Sequence, residues 1–379
     1  MRIGLVVAGG FDRSGRERVT PALLSLVEEL SRRHDVHVFV LDYYATPCTY
    51  PLAGATVHDV GGAGRLRGLR RLRQRARLAR AIAAAGGVEI VHAYMGVPAG
   101  LAAVHAGRDA RIPVVVTFDS GELVAIDDIG YGLQRRWLDR HGIETVQRLA
   151  SRVTVSTEYM RKQPALRVAA DVVPIGVDAA AFATPARPTD GPPWRLLRVA
   201  SLNRVKDHPT LLRAFRAVLD RLQHVHLDIV GEDTLDGSIQ AFARTLGLGP
   251  HVTFHGVQPT ERVAAFYANA HLHVSASRHE AAGVAVLEAA CAGLPTVGTR
   301  VGIVADWIAD SESERAIGVA VEDPVALADA IAALLNDPRR RSRIAASARA
   351  WAMRHDSAWT AHRFEEIYAD VLRAAAGSR

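Results

Sequence analysis

Short β-branched runs alternate with longer amphipathic stretches along most of this chain, and this alternation restricts its fold more than any other feature. The first series of alternating segments predicts strands at 3–7, 36–40, 90–92, 114–117 and 153–155, with helices between them, the first at 16–32. Neighbouring parallel strands need a long crossover, which a helix provides. The pattern therefore predicts an α/β fold with a mostly parallel, doubly wound sheet.

A second series of the same kind follows a segment of different composition. Residues 179–193 are dominated by Pro, Gly and small side chains, which indicates a linker between two domains. We therefore predict two Rossmann-like domains, 1–178 and 194–356, with a cleft between them, and expect the final helical stretch, 357–379, to complete the first domain. The second series predicts strands at 196–200, 226–230, 252–254 and 272–275, a short β-like run at 296–298, and helices at 209–222 and 261–269.

Length and composition agree with two ordinary globular domains. The chain has 379 residues, of which 49% are hydrophobic and 23% are charged. No apolar run reaches the length of about 18 residues that a membrane span requires. The only cysteines, Cys48 and Cys291, have no metal-ligand spacing and form no disulfide framework. These features predict a cytoplasmic protein with no metal site.

The positive charge of the chain lies in its first half. Residues 1–180 hold 24 Lys and Arg against 18 Asp and Glu, whereas residues 181–379 hold 22 of each. Much of the surplus lies in the segment that begins with Arg65 and ends with Arg80, which contains eight arginines beside a helical stripe of Leu and Ala. One interpretation is a solvated basic face; the alternative is docking to an anionic lipid surface, at the inner membrane face of the cell, or to a phosphorylated acceptor. Nucleic acid is not expected, because the segment has no interleaved aromatic residues.

Segment 280–302 carries two carboxylates within an alanine-rich, apolar stretch. Glu280 and Glu288 are eight positions apart, which along a helix means about two turns, and about 80° around the axis. Gly283 lies near the expected helix start, where backbone N–H groups without helical partners can face a phosphate. The alternative interpretation is an amphipathic helix with one glutamate near its N-terminus and another on a wet face.

A single lysine stands out in the second domain. Only two of the 46 basic residues are lysines, and one of them, Lys206, follows the predicted strand at 196–200. A compact ammonium group at a strand-to-helix turn is typical of a phosphate site, although an exposed surface lysine is the alternative. The strands that precede Gly231 and Val257 end in glycine-containing turns, which allow a flat ligand such as a base to approach the backbone.

Taken together, these motifs resemble a known family. The order is V-P-I-G-V-D at 173–178, V-A-S-L-x3-K at 199–206, I-V-G-E at 229–232, F-x-G-V at 254–257, and S-x4-E-x7-E-A-x-C-A-G-x-P at 275–295. This order is similar to that of the retaining, nucleotide-sugar-dependent glycosyltransferases of group 1, the family 4 type, which have the GT-B fold. The resemblance covers nearly the full chain and is most specific in the second domain.

The resemblance implies a role for each matching residue. Lys206 would hold the donor diphosphate, with Gly15 of the N-terminal glycine loop approaching it. Glu280 would bind the donor sugar hydroxyls and Glu288 the ribose hydroxyls. Backbone amides at Ala281, Gly283 and Val284 would surround the donor sugar and its phosphate. Gly231 and Val257 would border the base. Such enzymes need no metal or other cofactor, because cationic groups and a helix N-terminus neutralise the leaving group.

Two positions depart from the pattern of the family. The family often has an arginine five residues before the lysine, where this chain has Ser201; Arg204 is a candidate for the missing charge. In the loop at 117–122 the family tends to have a histidine, where this chain has Asp119. Asp119 would either orient or deprotonate an acceptor hydroxyl, or cap the next helix. His92 and Glu122, at the same edge of the predicted sheet, are assigned to the acceptor; for His92 a structural role is the alternative, and a role as a base is not favoured.

The resulting hypothesis is a metal-independent glycosyltransferase of the hexosyltransferase type, with Lys206, Glu280 and Asp119 as its catalytic residues. Its partners would be a nucleoside diphosphate sugar and a glycan, lipid-linked or small-molecule acceptor, as in polysaccharide or glycolipid biosynthesis. Two alternatives from other classes are a GT-B nucleotide-sugar epimerase and a non-catalytic sugar-nucleotide or glycan binding module. An epimerase would be expected to place an acid and a base carboxylate together, which the spacing of Glu280 and Glu288 does not favour.

Overall fold

The structure, a computed structural model, describes residues 1–41, 43–61, 70–183 and 190–377. The chain forms two compact units. The first comprises Met1–Gly176 together with Ser357–Arg379, and the second comprises Val177–Asp356. Residues 65–69 of the basic segment and residues 184–189 of the expected linker lie outside the described residues.

The first unit is built on one eight-stranded sheet. Its strands are β1 (Arg2–Val7), β2 (Asp35–Val40), β3 (Cys48–Leu52), β4 (Ala55–Asp59), β5 (Ile90–Tyr94), β6 (Val114–Phe118), β7 (Arg152–Val155) and β8 (Asp171–Val172). They lie in the order β3-β4-β2-β1-β5-β6-β7-β8, and only β3 and β4 pair antiparallel. Because β1 has β2 on one side and β5 on the other, the strand order reverses between β1 and β5. Ligands of doubly wound sheets bind at such a switch point.

The helices of this part of the chain begin with α1, which is shorter than its sequence pattern predicted. The expected helix at 16–32 begins only at Pro21, because the preceding residues fold back on the first loop, where the Thr20 N–H donates to the Gly10 carbonyl. The fixed backbone of proline suits the first position of a helix. The helices are α1 (Pro21–Ser31), α2 (Arg70–Ala84), α3 (Leu101–Ala110), α4 (Trp137–Leu149) and α5 (Glu158–Arg161).

The second unit contains a six-stranded sheet in which every pair of neighbours is parallel. Its strands are β9 (Trp194–Val199), β10 (Val225–Val230), β11 (Val252–Phe254), β12 (Leu272–Ser275), β13 (Thr296–Thr299) and β14 (Ile317–Val319). The order is β11-β10-β9-β12-β13-β14, so the switch point lies between β9 and β12. The loops that follow these two strands are therefore the expected place for a ligand of this unit.

Helices cover both faces of the second sheet. They are α6 (Ala179–Phe182), α7 (His208–Leu219), α8 (Ser238–Thr245), α9 (Thr260–Asn269), α10 (Val284–Cys291), α11 (Gly302–Ala309), α12 (Pro324–Leu335) and α13 (Pro338–Arg354). Consecutive residues of β9 face opposite sides: Leu196 packs in a cluster with residues of α7 and α12, and Leu197 packs with residues of α9, α10 and α13. This alternation buries both faces of the sheet, as expected of a doubly wound domain.

The first residues of the expected linker belong to the second unit. Residues 179–182 form helix α6, which the Asp178 side chain caps by accepting from the backbone of Ala180 and Ala181. Phe182 is buried, and its ring lies 5.8 Å from that of Tyr267. An N-cap residue followed by alanines stabilises a short helix even within a segment of linker composition.

The predicted fold class is confirmed, although the pattern missed four strands at or next to the sheet edges. The strands predicted from the alternation are all present, with bounds that differ by at most two residues. Strands β3, β4, β8 and β14 were not predicted; they are short and lie at or next to the sheet edges. Strand β3 contains Pro51, which has no N–H to donate and is tolerated at an edge.

The last helix, α14 (Ser357–Gly377), returns to the first unit and closes its core. Its apolar positions follow the helical repeat, and its buried residues are Ser357, Thr360, Ala361, Phe364, Ile367, Tyr368 and Val371. The Phe364 ring lies 4.6 Å from the His92 ring, and Arg33 of the first unit pairs with Glu365 at 2.8 Å. No helix within the described ranges, α14 included, has the length and apolarity that a membrane crossing needs.

We expect Phe364→Ala to lower the free energy of unfolding by about 3–5 kcal/mol, because it removes a fully buried aromatic ring from the core of the first unit. Urea unfolding followed by circular dichroism measures the change. Arg373→Ala serves as the control, because Arg373 lies on the same helix and is largely exposed. Equal stability of the two variants would contradict the packing of α14 described above.

Candidate functional site

The loops after β9 and β12 bring a lysine and a glutamate into contact at the switch point of the second unit. Lys206 ends a single 3₁₀ turn that follows β9, and Glu280 lies in the loop between β12 and α10. The Lys206 Nζ atom lies 2.7 Å from both carboxylate oxygens of Glu280. A hydrogen bond from the Arg278 N–H to the Val205 carbonyl holds the two loops together. Residues 74 positions apart in the chain thus form one charged pair.

Local capping fixes the position of Lys206. The Asn203 side chain accepts a hydrogen bond from the Lys206 N–H at 3.2 Å. Asp207, with a left-handed backbone, then caps α7 by accepting from the Thr210 N–H. The turn therefore presents the lysine at the carboxyl end of β9, and its side chain remains 24% exposed.

Glu280 is held by two kinds of donor. Besides Lys206, the Ser277 hydroxyl donates to Glu280 Oε1 at 2.7 Å. Burial alone would raise the pKa of Glu280, but Lys206 and Arg198 outweigh it and lower the pKa below its usual value. The carboxylate is therefore ionised at neutral pH and faces a cation.

Helix α10 begins beside this pair. Gly283 is its N-cap, has a φ of 94°, and offers no side chain to cap the first N–H groups. Ala281 is buried and Val284 half-buried in the same turn. The first N–H groups of a helix lack internal acceptors and carry the positive end of the dipole. The sequence placed Glu280 on this helix, which is wrong: Glu280 precedes the N-cap, so its angular relation to Glu288 does not follow from helical spacing.

Glu288 lies inside α10 and is buried. The Tyr267 hydroxyl donates to its Oε2 atom at 2.8 Å. Burial raises the pKa of Glu288 to about 7, despite the hydrogen bond from Tyr267, which lowers it. The two glutamates of the motif therefore differ in charge near neutral pH.

The remaining donor residues predicted in this unit lie at strand ends. Gly231 follows β10 with a φ of 151°, and a Cβ atom there would lie 2.1 Å from the Ala200 carbonyl oxygen, so only glycine fits. Val257 follows β11 and is 73% exposed. Arg204 is exposed and forms no ion pair with any residue in the described part of the chain.

In the first unit, Gly15 lies in a loop that Asp12 organises. Asp12 accepts from the Ser14 N–H, the Arg18 guanidinium and the Tyr44 hydroxyl, at 2.8–2.9 Å. These hydrogen bonds lower the pKa of Asp12 to about 2, and the bond from the Ser14 backbone N–H has the largest effect. The Gly15 N–H donates to the Asp12 carbonyl, and its φ is 66°. The loop after β1 is therefore held in one conformation by a buried carboxylate.

Asp119 follows β6 and is half-buried. Its Oδ1 atom accepts a hydrogen bond from the Ser156 hydroxyl, at the end of β7. The alternative role as a cap of the next helix is wrong, since the following helical turns begin after Gly132 and Arg136. Asp119 thus lies at the carboxyl ends of the strands, where the sequence placed it.

Two residues assigned to an acceptor are structural instead. His92 is 0% exposed, with its Nδ1 atom 2.6 Å from the Tyr368 hydroxyl and its Nε2 atom 2.7 Å from the Thr117 hydroxyl. Burial lowers the pKa of His92 to about 3, so the ring is neutral. Glu122 is 1% exposed and accepts from the N–H groups of Gly96 and Ser120, which fixes its own loop. A ligand cannot reach side chains that are fully enclosed.

Sequence reasoning missed Arg198, Ser277 and Tyr267 of the second unit. Arg198 is 2% exposed and donates to the hydroxyls of Ser275 and Ser277. Tyr267 bonds to Glu288, as described above. The available signal was Arg198 itself, a charged side chain that directly follows the apolar pair Leu196 and Leu197 in β9. Among the described residues, no group of three or more His, Cys, Asp and Glu is arranged to hold a metal ion.

Comparison with protein families finds a match for each unit. Residues 183–351 match the family of glycosyl transferases group 1, and residues 19–176 match the glycosyl transferase 4-like domain. The D-inositol 3-phosphate glycosyltransferase of Xylanimonas cellulosilytica is 31% identical over 220 residues, which cover 53% of this chain and 51% of that protein. The chain spans about half the length of the curated relatives that it matches, or less.

Solved structures with the same fold cover nearly the whole chain. A sucrose-phosphate synthase of Thermosynechococcus elongatus has a TM-score of 0.81 and 21% identity, over 98% of this chain and 99% of that chain. The Anabaena protein HepE, solved in complex with UDP and glucose, has a TM-score of 0.75 and 18% identity, over 97% and 99%. At these identities the likeness concerns the fold, and the predicted GT-B fold of two Rossmann-like domains is confirmed.

We expect Glu288→Gln to stabilise the chain increasingly as the pH rises from 5 to 8. The raised pKa of Glu288 means that the folded state binds this proton more tightly than the unfolded state does. The resulting contribution to the free energy of unfolding is complete below about pH 4.5, and wild type loses it as the pH rises through about 7. Glutamine avoids the cost of the buried charge, which is at most about 3 kcal/mol. Thermal unfolding at several pH values measures the difference from wild type.

Glu280→Gln is the control with the opposite sign. The pKa of Glu280 is lowered, so its ionised form stabilises the fold at neutral pH and that contribution disappears as the pH falls. This variant should be less stable than wild type at pH 7 and approach it in acid. A Glu288→Gln effect that is constant from pH 5 to 8 would contradict the raised pKa.

Proposed function

We propose that this chain, which belongs to the glycosyl transferase group 1 family, moves a sugar from a nucleoside diphosphate sugar to an acceptor hydroxyl. We further propose retention of configuration at the anomeric carbon and no requirement for a metal. The observation that carries the proposal is the contact between Lys206 and Glu280 at the switch point of the second unit. At this place a cation suits the phosphates of a sugar diphosphate, and a carboxylate suits the hydroxyls of its sugar.

Lys206 would bind the diphosphate. Its ammonium group is partly exposed and lies beside the start of α10, where N–H groups and the helix dipole favour an anion. Negative charge grows on the diphosphate as the bond to the sugar breaks. Positive groups that are already in place stabilise this charge, so the chemistry has no need of a metal at the leaving group.

Glu280 would bind hydroxyls of the donor sugar. The carboxylate is ionised, can accept several hydrogen bonds, and is already oriented by Ser277. Lys206 occupies both of its oxygens in this structure, so the donor would have to draw the lysine towards its phosphates and take its place on Glu280. The Lys206–Glu280 pair would thus be exchanged for two contacts with the donor.

Glu288 and the strand ends would bind the nucleoside. Vicinal ribose hydroxyls suit a carboxylate, and hydrogen bonds from them would favour the ionised form of Glu288, whose pKa is raised in this structure. Gly231 and Val257 would border the base, because glycine leaves the backbone open and Val257 is exposed. Ala281, Gly283 and Val284 would contribute backbone contacts.

The acceptor would be a glycan, a lipid-linked molecule or a small molecule. In the first unit, Asp119 remains the candidate to orient or deprotonate its hydroxyl, since it is half-buried at the carboxyl end of β6. His92 and Glu122 are not part of this proposal, because both are enclosed.

A peripheral membrane contact through the basic helix α2 is a separate proposal, and it rests on exposed charge. Arg73 and Arg80 are exposed on α2, and Arg75 and Arg77 of the same helix are half-buried. The exposed positive charge of this helix would attract the cytoplasmic face of an anionic membrane. Residues 65–69 of the same segment lie outside the described residues.

We expect Lys206→Ala and Glu280→Ala to lower kcat/KM for the donor by about 100-fold or more, as for loss of a charged group that stabilises a leaving group. The rate of nucleotide release from UDP, GDP, ADP and TDP sugars, with and without EDTA, measures this. The matched control is Lys162→Ala, which removes the only other lysine, an exposed one. Near-normal rates in either site variant, or complete loss of wild-type activity in EDTA, would refute the corresponding part of the proposal.

We expect the double charge reversal Arg73→Glu, Arg80→Glu to reduce binding to vesicles that contain phosphatidylglycerol by at least about tenfold, since each basic residue near such a surface contributes about 1 kcal/mol. Vesicle sedimentation at low and high salt measures the binding. The control, Arg339→Glu with Arg343→Glu, changes the net charge equally on exposed positions of α13. If both double variants bind alike, the basic face is only solvated.

A further inference from the structure

Arg198 is a cation enclosed in the second unit. It lies in β9, two residues before the loop that carries Lys206, and is 2% exposed. Its Nη1 atom lies 2.7 Å from the Ser275 hydroxyl and its Nη2 atom 2.7 Å from the Ser277 hydroxyl, whereas its Nε atom has no partner among the described residues. Burying a guanidinium group is costly unless nearby groups compensate its charge. The positive charge of the buried Arg198 therefore needs a carboxylate close by to compensate it.

The hydrogen bonds around Arg198 can run in one direction only. A guanidinium group donates and never accepts, so the Ser277 oxygen must accept from Arg198. The hydroxyl hydrogen of Ser277 is then free to donate, and its Oγ atom lies 2.7 Å from Glu280 Oε1. Arg198, Ser277 and Glu280 thus form a continuous chain whose donors all point towards the carboxylate. Ser275 contacts Arg198 equally well but has no contact with Glu280 among the described hydrogen bonds.

Glu280 therefore lies between two cations of different mobility. Lys206 has a long, partly exposed side chain on a loop, while Arg198 is enclosed within a strand of the sheet. When Lys206 turns towards a phosphate, Glu280 loses its direct partner. Among the described hydrogen bonds, the chain from Arg198 through Ser277 is then the one that still reaches the carboxylate, and Arg198 is buried at 2% exposure.

We propose that Arg198 is a positioning residue, which acts through Ser277 to hold Glu280 in the orientation that binds the donor sugar after Lys206 has moved to the diphosphate. This inference rests on the proposed function and extends it to a residue that touches neither the donor nor the reacting atoms. Arg198 would therefore affect the recognition of the sugar and leave that of the nucleoside diphosphate unchanged. The ratio of the affinity for the nucleoside diphosphate sugar to the affinity for the free nucleoside diphosphate distinguishes this effect from a general loss of structure.

The test compares Ser277→Ala with Ser275→Ala. Both serines are buried and both accept from Arg198 at 2.7 Å, but only Ser277 contacts Glu280. Titration calorimetry would first identify which of UDP, GDP, ADP and TDP, and which of their glucose or mannose conjugates, bind the wild-type chain best. The variants would then be titrated with that nucleoside diphosphate and with its sugar conjugate. We expect Ser277→Ala to weaken binding of the conjugate by about tenfold, the usual effect of one hydrogen bond to a charged group, and to change binding of the free diphosphate by less than about twofold.

The pH dependence supplies a second reading. As Glu280 takes up a proton in acid, the preference for the conjugate over the free diphosphate should fall. In Ser277→Ala and in Arg198→Met this fall should occur at higher pH than in wild type, because Glu280 has lost positive charge or a donor that favours its ionised form. Thermal unfolding shows which variants are folded, and Ser277→Ala keeps the test valid if Arg198→Met does not fold.

Each outcome decides the proposal. A selective loss of conjugate binding in Ser277→Ala, together with the shift in pH, supports it. Equal effects of the two serine substitutions, or an unchanged preference for the conjugate in Ser277→Ala, overturn it while the proposed function stands. Failure of the wild-type chain to bind any of the nucleotides refutes the proposed function itself, and with it this inference.

Discussion

The contact between Lys206 and Glu280 is the interaction on which the candidate site of the second unit depends. Its two members come from loops that follow β9 and β12, strands that lie side by side because the sheet is wound outwards in both directions from this point. A lysine and a glutamate that are far apart in the chain thus meet at the carboxyl ends of the strands. The pair satisfies two partly buried charges with each other.

Charge compensation extends from this pair into the protein. Arg198 and Ser277 lie on the inner side of Glu280, where burial would raise its pKa and the cations Lys206 and Arg198 lower it. Among the described residues Glu288 has the Tyr267 hydroxyl and no cation beside it, and burial raises its pKa to about 7. Two glutamates of one sequence motif therefore differ in ionisation, and the difference arises from their neighbours and not from their own chemistry.

The first unit shows the converse arrangement, in which polar side chains serve structure. His92 bonds to Tyr368 of the C-terminal helix and to Thr117, which ties the last element of the chain to the centre of the first sheet. Glu122 and Asp12 each accept backbone N–H groups and hold the loops after β6 and β1. Asp119 remains at the strand ends and is only half-buried. In this unit, residue type at a strand end did not distinguish a ligand contact from a loop anchor.

The sequence by itself determined the two doubly wound sheets and the positions of the main loops, because hydrophobic alternation and glycine turns are local signals that fix secondary structure and topology. It also singled out Lys206, Glu280 and Glu288 through their order and spacing. The start of α1, the edge strands and the helix at 179–182 depended on tertiary contacts that weak local patterns do not reveal. Tertiary structure alone decided that Glu280 precedes α10, that His92 and Glu122 are enclosed, and that Arg198 lies behind Glu280. Burial and hydrogen-bond partners arise from residues distant in the chain, and these partners set the charge and the accessibility of a side chain.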